Sequence, residues 1–151
     1  MNLFCLNGYN GEKISLGLNE VIGFPDNTSI EGGYDIICTL IIDSGCYHIE
    51  HNRLYSATGA LYRFSKELAT CYTDLFGSAE YHLLYENNLN IKVEMTSGGH
   101  AIVTGTFQER PDKNNILQFQ FDTDQSCLLS VIQDIGSLKV QYGDMEGLRS
   151  K

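Results

Sequence analysis

The stretch LNIKVEMTSGGHAIVTGTF, residues 89–107, sets the fold class. In it Leu89, Ile91, Val93 and Met95 alternate strictly with Asn90, Lys92, Glu94 and Thr96, the period-two pattern of a half-buried strand. Ser97-Gly98-Gly99 supplies a turn. Ala101, Val103 and Phe107 then return, with His100, Thr104 and Thr106 on the other side. Strands joined by so short a turn are antiparallel, because a parallel pair needs a crossover of roughly a dozen residues.

Working outward toward the C-terminus, Arg110 to Asn115 is a polar loop, and Leu117, Phe119 and Phe121 alternate with Gln118, Gln120 and Asp122 as a further strand. Asp122 with Gln125 resembles a capping box opening a helix over 124–136, whose buried stripe is Leu128, Val131, Ile132 and Ile135. Toward the N-terminus, Tyr81, Leu83 and Tyr85 read as a strand. Before it, Thr58 is placed to cap a helix over 59–76, with Gly77 past its end. Leu61, Phe64, Leu68, Tyr72 and Leu75 form that helix's apolar stripe.

Further upstream, Tyr34, Ile36, Cys38, Leu40 and Ile42 line one face of a central strand with Asp35 and Asp43 near its ends, and Tyr47 to Tyr55 returns from it. Residues 2–7 and 12–18 form a first hairpin around Gly8-Tyr9-Asn10-Gly11, and 19–33 is a loop. Strands in hairpin-linked runs, rather than alternating with helices, predict an α+β class. The expected architecture is a curved antiparallel sheet of about six to eight strands with two helices packed on it. No repeat or boundary divides the chain, so one domain spans 1–142 and 143–151 is a loose tail. Ile36, Cys38, Leu40, Phe64, Leu68, Ile91, Val93, Phe119, Phe121, Leu128 and Val131 are expected in the core.

The 151 residues carry ten Lys and Arg against nineteen Asp and Glu, a net charge of −9. That balance disfavours a nucleic-acid partner, which needs clustered cations. No apolar run is long enough to span a membrane, and the N-terminus lacks the features of a signal peptide, so the cytoplasm is the expected compartment. The five cysteines form no CxxC pair and read as reduced thiols. Four histidines lack ligand spacing, and there is no GxSxG elbow or phosphate-binding loop, so neither metal, cofactor nor enzymatic activity is expected.

Between Glu12 and Glu50 lie seven acids and one base, Lys13. A solvated acidic face is the plain reading. The functional one is a negative patch for a basic protein surface, with Glu31, Asp35, Asp43 and Glu50 as its acids and Tyr34 and Tyr47 as anchors. The chain is expected to meet such a partner as a monomer or weak dimer.

Four phrases, YDIICTLIIDSGCYH (34–48), LYRFSKELATCYTDLFG (61–77), SGGHAIVTGTF (97–107) and LQFQFDTDQSCLLSVIQDI (117–135), resemble the WapI-like family of small bacterial immunity proteins. The resemblance implies a cytosolic antitoxin that binds the toxic domain of a cognate polymorphic toxin, blocking a basic, nuclease-like surface. It carries over no set of functional residues. The rival reading is a small-molecule binder or hydrolase with a pocket between sheet and helices, in which His82 and His100 would converge with carboxylates.

Overall fold

In the computed structural model, which describes residues 1–148, eight strands and two helices follow one another as β1 (Asn2–Asn7), β2 (Lys13–Ile22), β3 (Asp35–Ser44), β4 (Tyr47–Ala57), α1 (Thr58–Asp74), β5 (Ser78–Tyr81), β6 (Leu89–Met95), β7 (His100–Gln108), β8 (Ile116–Asp124) and α2 (Gln125–Tyr142). The α+β class and the antiparallel pairing are as expected. The strands do not join in one sheet, however. They form two four-stranded meanders, β1-β2-β3-β4 and β5-β6-β7-β8. The long helix α1, inserted between β4 and β5, separates them.

The order of four strands and a helix thus occurs twice, a repeat the sequence does not spell out. The halves match down to a hydrogen bond. Thr58 N donates to Tyr34 O at 2.9 Å where α1 leaves β4, and Gln125 N donates to Gly99 O at 2.8 Å where α2 leaves β8. The helices lie against each other, with α1 also against β5 and α2 also against β1, so each helix bridges toward the first strand of the opposite sheet.

One core results. Ile36, Cys38, Leu40 and Ile42 of β3 are fully buried, and the alternation read in β6 puts Leu89, Ile91, Val93 and Met95 inside. Phe64 of α1 joins the two halves, its ring 5.9 Å from Phe4 and 6.2 Å from Tyr81. All eleven residues expected in the core are buried.

Element ends differ from expectation for physical reasons. Helix α1 starts at Thr58, whose Oγ1 accepts the Tyr34 N–H instead of capping, and it stops at Asp74 because Leu75 turns left-handed at φ 56°. In α2 the cap is Asp124, whose carboxylate accepts from Ser126 N and Cys127 N, two residues later than the expected box. The helix runs through Gly136 to Tyr142, since Leu138 continues the buried stripe. The strand expected through Tyr85 ends at Tyr81, because Glu31 captures the Leu84 and Tyr85 N–H groups.

Residues 143–148 turn back onto the loop before β3, where Met145 O accepts from Gly33 N at 2.7 Å and Leu148 N donates to the Tyr34 hydroxyl at 2.8 Å. Residues 149–151 of the expected tail lie outside the described residues.

Candidate partner-binding surface

The six candidate residues separate into three places. Glu31 and Tyr34 point inward, correcting their expected exposure. Glu31 is 3% exposed, and its carboxylate accepts from Leu84 N, Tyr85 N and Arg63 Nη2 (3.0–3.2 Å). Arg63 Nη1 also donates to Glu31 O at 2.6 Å, so this loop is clamped to α1. Tyr34 is fully buried against Phe24, its hydroxyl donating to Pro25 O at 2.9 Å. Charge and aromatic type had suggested contact residues. The loop instead uses both as its own pillars, since a closed loop must pair its backbone donors.

Asp35 sits at the start of β3, where its carboxylate accepts the Tyr55 hydroxyl at 2.5 Å. Burial first, and then this hydrogen bond, push the Tyr55 phenol up to about 12. Asp43 and Glu50 lie at the other end of the strand pair. Asp43 lies eight positions after Asp35 along β3, which at strand rise is about 26 Å. One patch therefore does not hold all the acids.

What does come together is the β3–β4 hairpin with the β7–β8 hairpin, the equivalent hairpins of the two halves. Between them is a cleft of about 630 Å³. Its β4 wall is Tyr47, His48, Ile49, Glu50 and His51, and its opposite wall is Phe107, Glu109, Asn114, Asn115, Ile116 and Leu117. Tyr47 is 62% exposed and Ile116 is 52% exposed, an aromatic and an aliphatic side chain presented to solvent on rigid strand ends.

The charges around this apolar centre are acidic or titratable. Glu50 is exposed and, among the described residues, has no cationic partner. Glu109 lies 3.6 Å from His51, whose ring packs on Phe107. Asp43 is at the rim, bonded to His48 and 3.9 Å from Lys13. Among the described residues no lysine or arginine lines the cleft.

The β7–β8 wall, with Phe107, Glu109 and Ile116, was missed by sequence reading. Periodicity marks Phe107 only as a strand residue on the apolar side, and only the packing of the two sheets sets this wall opposite Tyr47. A second hollow, about 490 Å³, opens on the polar face of the second sheet and is lined by Glu80, His82, Asn90, Lys92, Thr104 and Gln118 among others. His100 is not there. It is at the far end of β7, its Nδ1 2.8 Å from the Tyr9 hydroxyl. The two histidines on which the hydrolase reading depended are therefore not brought together. Among the described residues no cluster of three or more His, Cys, Asp or Glu is arranged to hold a metal ion, and no helix is long and apolar enough to cross a membrane.

A family model described as the immunity protein WapI-like family matches residues 5–142. A chain in the CdiA-CT/CdiI toxin and immunity complex from Enterobacter cloacae is similar in structure, with a TM-score of 0.46 and 10% sequence identity, covering 82% of this chain and 99% of that one. No curated protein sequence matches.

Proposed function

The chain belongs to the immunity protein WapI-like family, and from that premise we propose that it neutralises the toxic domain of a cognate bacterial toxin by covering it, docking through the hairpin cleft. The family match carries the immunity role, and the exposed Tyr47 beside Glu50, which has no cationic partner among the described residues, carries the choice of surface. Interfaces concentrate their energy in a few aromatic or aliphatic anchors ringed by polar groups. The cleft has that arrangement.

The rim charge implies a basic toxin surface, of the kind a nuclease turns toward its substrate. Carboxylates at 43, 50 and 109 would draw such a surface in and fix its orientation, and Tyr47 and Ile116 would hold it. Blocking needs no chemistry from the immunity protein. It acts in the cytoplasm as a monomer or weak dimer, each chain binding one toxin domain. Asp35, at the other end of β3, lies outside this contact.

Co-expression with a cognate toxin domain tests the reading. A stoichiometric complex should elute as one species, and cells should survive induction. Tyr47→Ala should weaken binding about 30-fold, the effect of losing a hot-spot residue, without altering the circular dichroism spectrum. If no complex forms, the toxin reading fails. If a complex forms and Tyr47→Ala leaves its affinity unchanged, the cleft is the wrong surface.

A further inference from the structure

The groove between α1 and α2 inverts the charge of the rest of the molecule. Of the nine residues lining this hollow of about 480 Å³, three are cations, Arg63, Lys66 and Lys139, and none is acidic. In a chain with nineteen acids and ten bases the opposite would be expected. Arg63 is clamped to the Glu31 loop, which holds it at the groove wall. Lys139 lies over the Tyr62 ring, 5.3 Å from its centroid, and that ring is fixed by its hydroxyl donating to Gly143 O at 2.6 Å. Among the described residues neither Lys66 nor Lys139 forms an ion pair.

The other lining residues are apolar or small, among them Ala69, Ile135, Gly136 and Met145. Gly136 is the telling one. It sits inside α2, where glycine is a poorer helix former than alanine. Its φ is not left-handed, and a Cβ added there would meet no atom within 4 Å. Neither the backbone nor the packing of this chain calls for glycine. Its absent side chain keeps the groove open.

We propose that this groove binds a small organic anion, with its acid group between Lys66 and Lys139 and its apolar body against Ala69, Gly136 and Ile135. Two ammonium groups that form no ion pair among the described residues supply the charge complement, and a hollow of this volume matches those that hold small ligands. The site shares no residue with the hairpin cleft, so it stands or falls apart from toxin binding.

Octanoate is the probe, titrated into the isotopically labelled full chain and followed by amide chemical shifts. Saturable shifts should centre on residues 62–69 and 135–139. Acetate, which has the charge without the body, and 1-octanol, which has the body without the charge, should each bind at least tenfold more weakly. Lys66→Gln with Lys139→Gln should weaken octanoate at least tenfold, and Gly136→Leu should abolish its binding by filling the groove. Octanol binding as tightly as octanoate would overturn the anionic assignment. An absence of saturable octanoate shifts in the wild-type chain, which needs no variant to fold, would overturn the site.

Discussion

Replacing Glu31 with alanine removes, in one step, the acceptor for two backbone N–H groups and the partner of a guanidinium. Leu84 N and Tyr85 N would be left without the carboxylate that now ends strand β5. A donor stranded in this way costs about 1–3 kcal/mol. Arg63 adds less than the roughly 3–5 kcal/mol seen when a fully buried pair is broken, because its side chain is 30% exposed and it keeps its bond to Glu31 O. The expected loss is about 3 kcal/mol. Glu31→Gln keeps one acceptor oxygen and the shape but not the charge, so it should cost about half as much. Urea unfolding measures both, as a fall in midpoint at unchanged m-value. A solvent-facing acid at 31 would instead change stability by under about 0.5 kcal/mol when replaced. That smaller result for Glu31→Ala would refute the clamp and return Glu31 to the surface.

Other outcomes follow from the same packing. Phe64→Ala, which empties a fully buried ring site joining both halves, should cost about 3–5 kcal/mol in the same assay. Gly136→Ala should stabilise the chain by up to about 1 kcal/mol, since it adds helix propensity where nothing is crowded. Burial pushes the Tyr62 phenol up to about 12 from 10.0, so folding favours its neutral form. That contribution is intact below pH 10 and is lost as pH rises through 12. The melting temperature should therefore drop steeply over this window. Tyr62→Phe should be less stable than wild type at pH 8 by about 1 kcal/mol, the worth of its hydroxyl bond, and should close that gap by pH 12.

The buried faces were legible because periodicity reports directly on which side of an element meets the core. Leu89 to Met95 and the α1 stripe from Leu61 through Leu68 needed no tertiary information. The division into two sheets did not show, because pairing partners are set by where α1 carries the chain and not by alternation within strands. The α1 end was misplaced for a local reason. Leu75 fits the apolar stripe, yet it is the residue that turns left-handed and ends exposed. Among the candidate contacts, Tyr47, Asp43 and Glu50 reach a common surface, while Glu31 and Tyr34 serve the loop that carries them. Sequence marks a carboxylate as charged but not as surrounded. Only the fold shows that Leu84 N, Tyr85 N and Arg63 converge on Glu31.

Docking at the hairpin cleft is tested most directly by the association rate constant with the cognate toxin domain, measured by stopped flow at 0.1 M and 0.5 M salt. Wild type should associate at least tenfold more slowly at the higher salt, as the Debye length shrinks from about 10 Å to a few ångströms. Glu50→Lys with Glu109→Lys should start slow and lose most of that salt dependence, with its unfolding curve unchanged. Equal rates for the two proteins at both salt concentrations would contradict docking through this cleft.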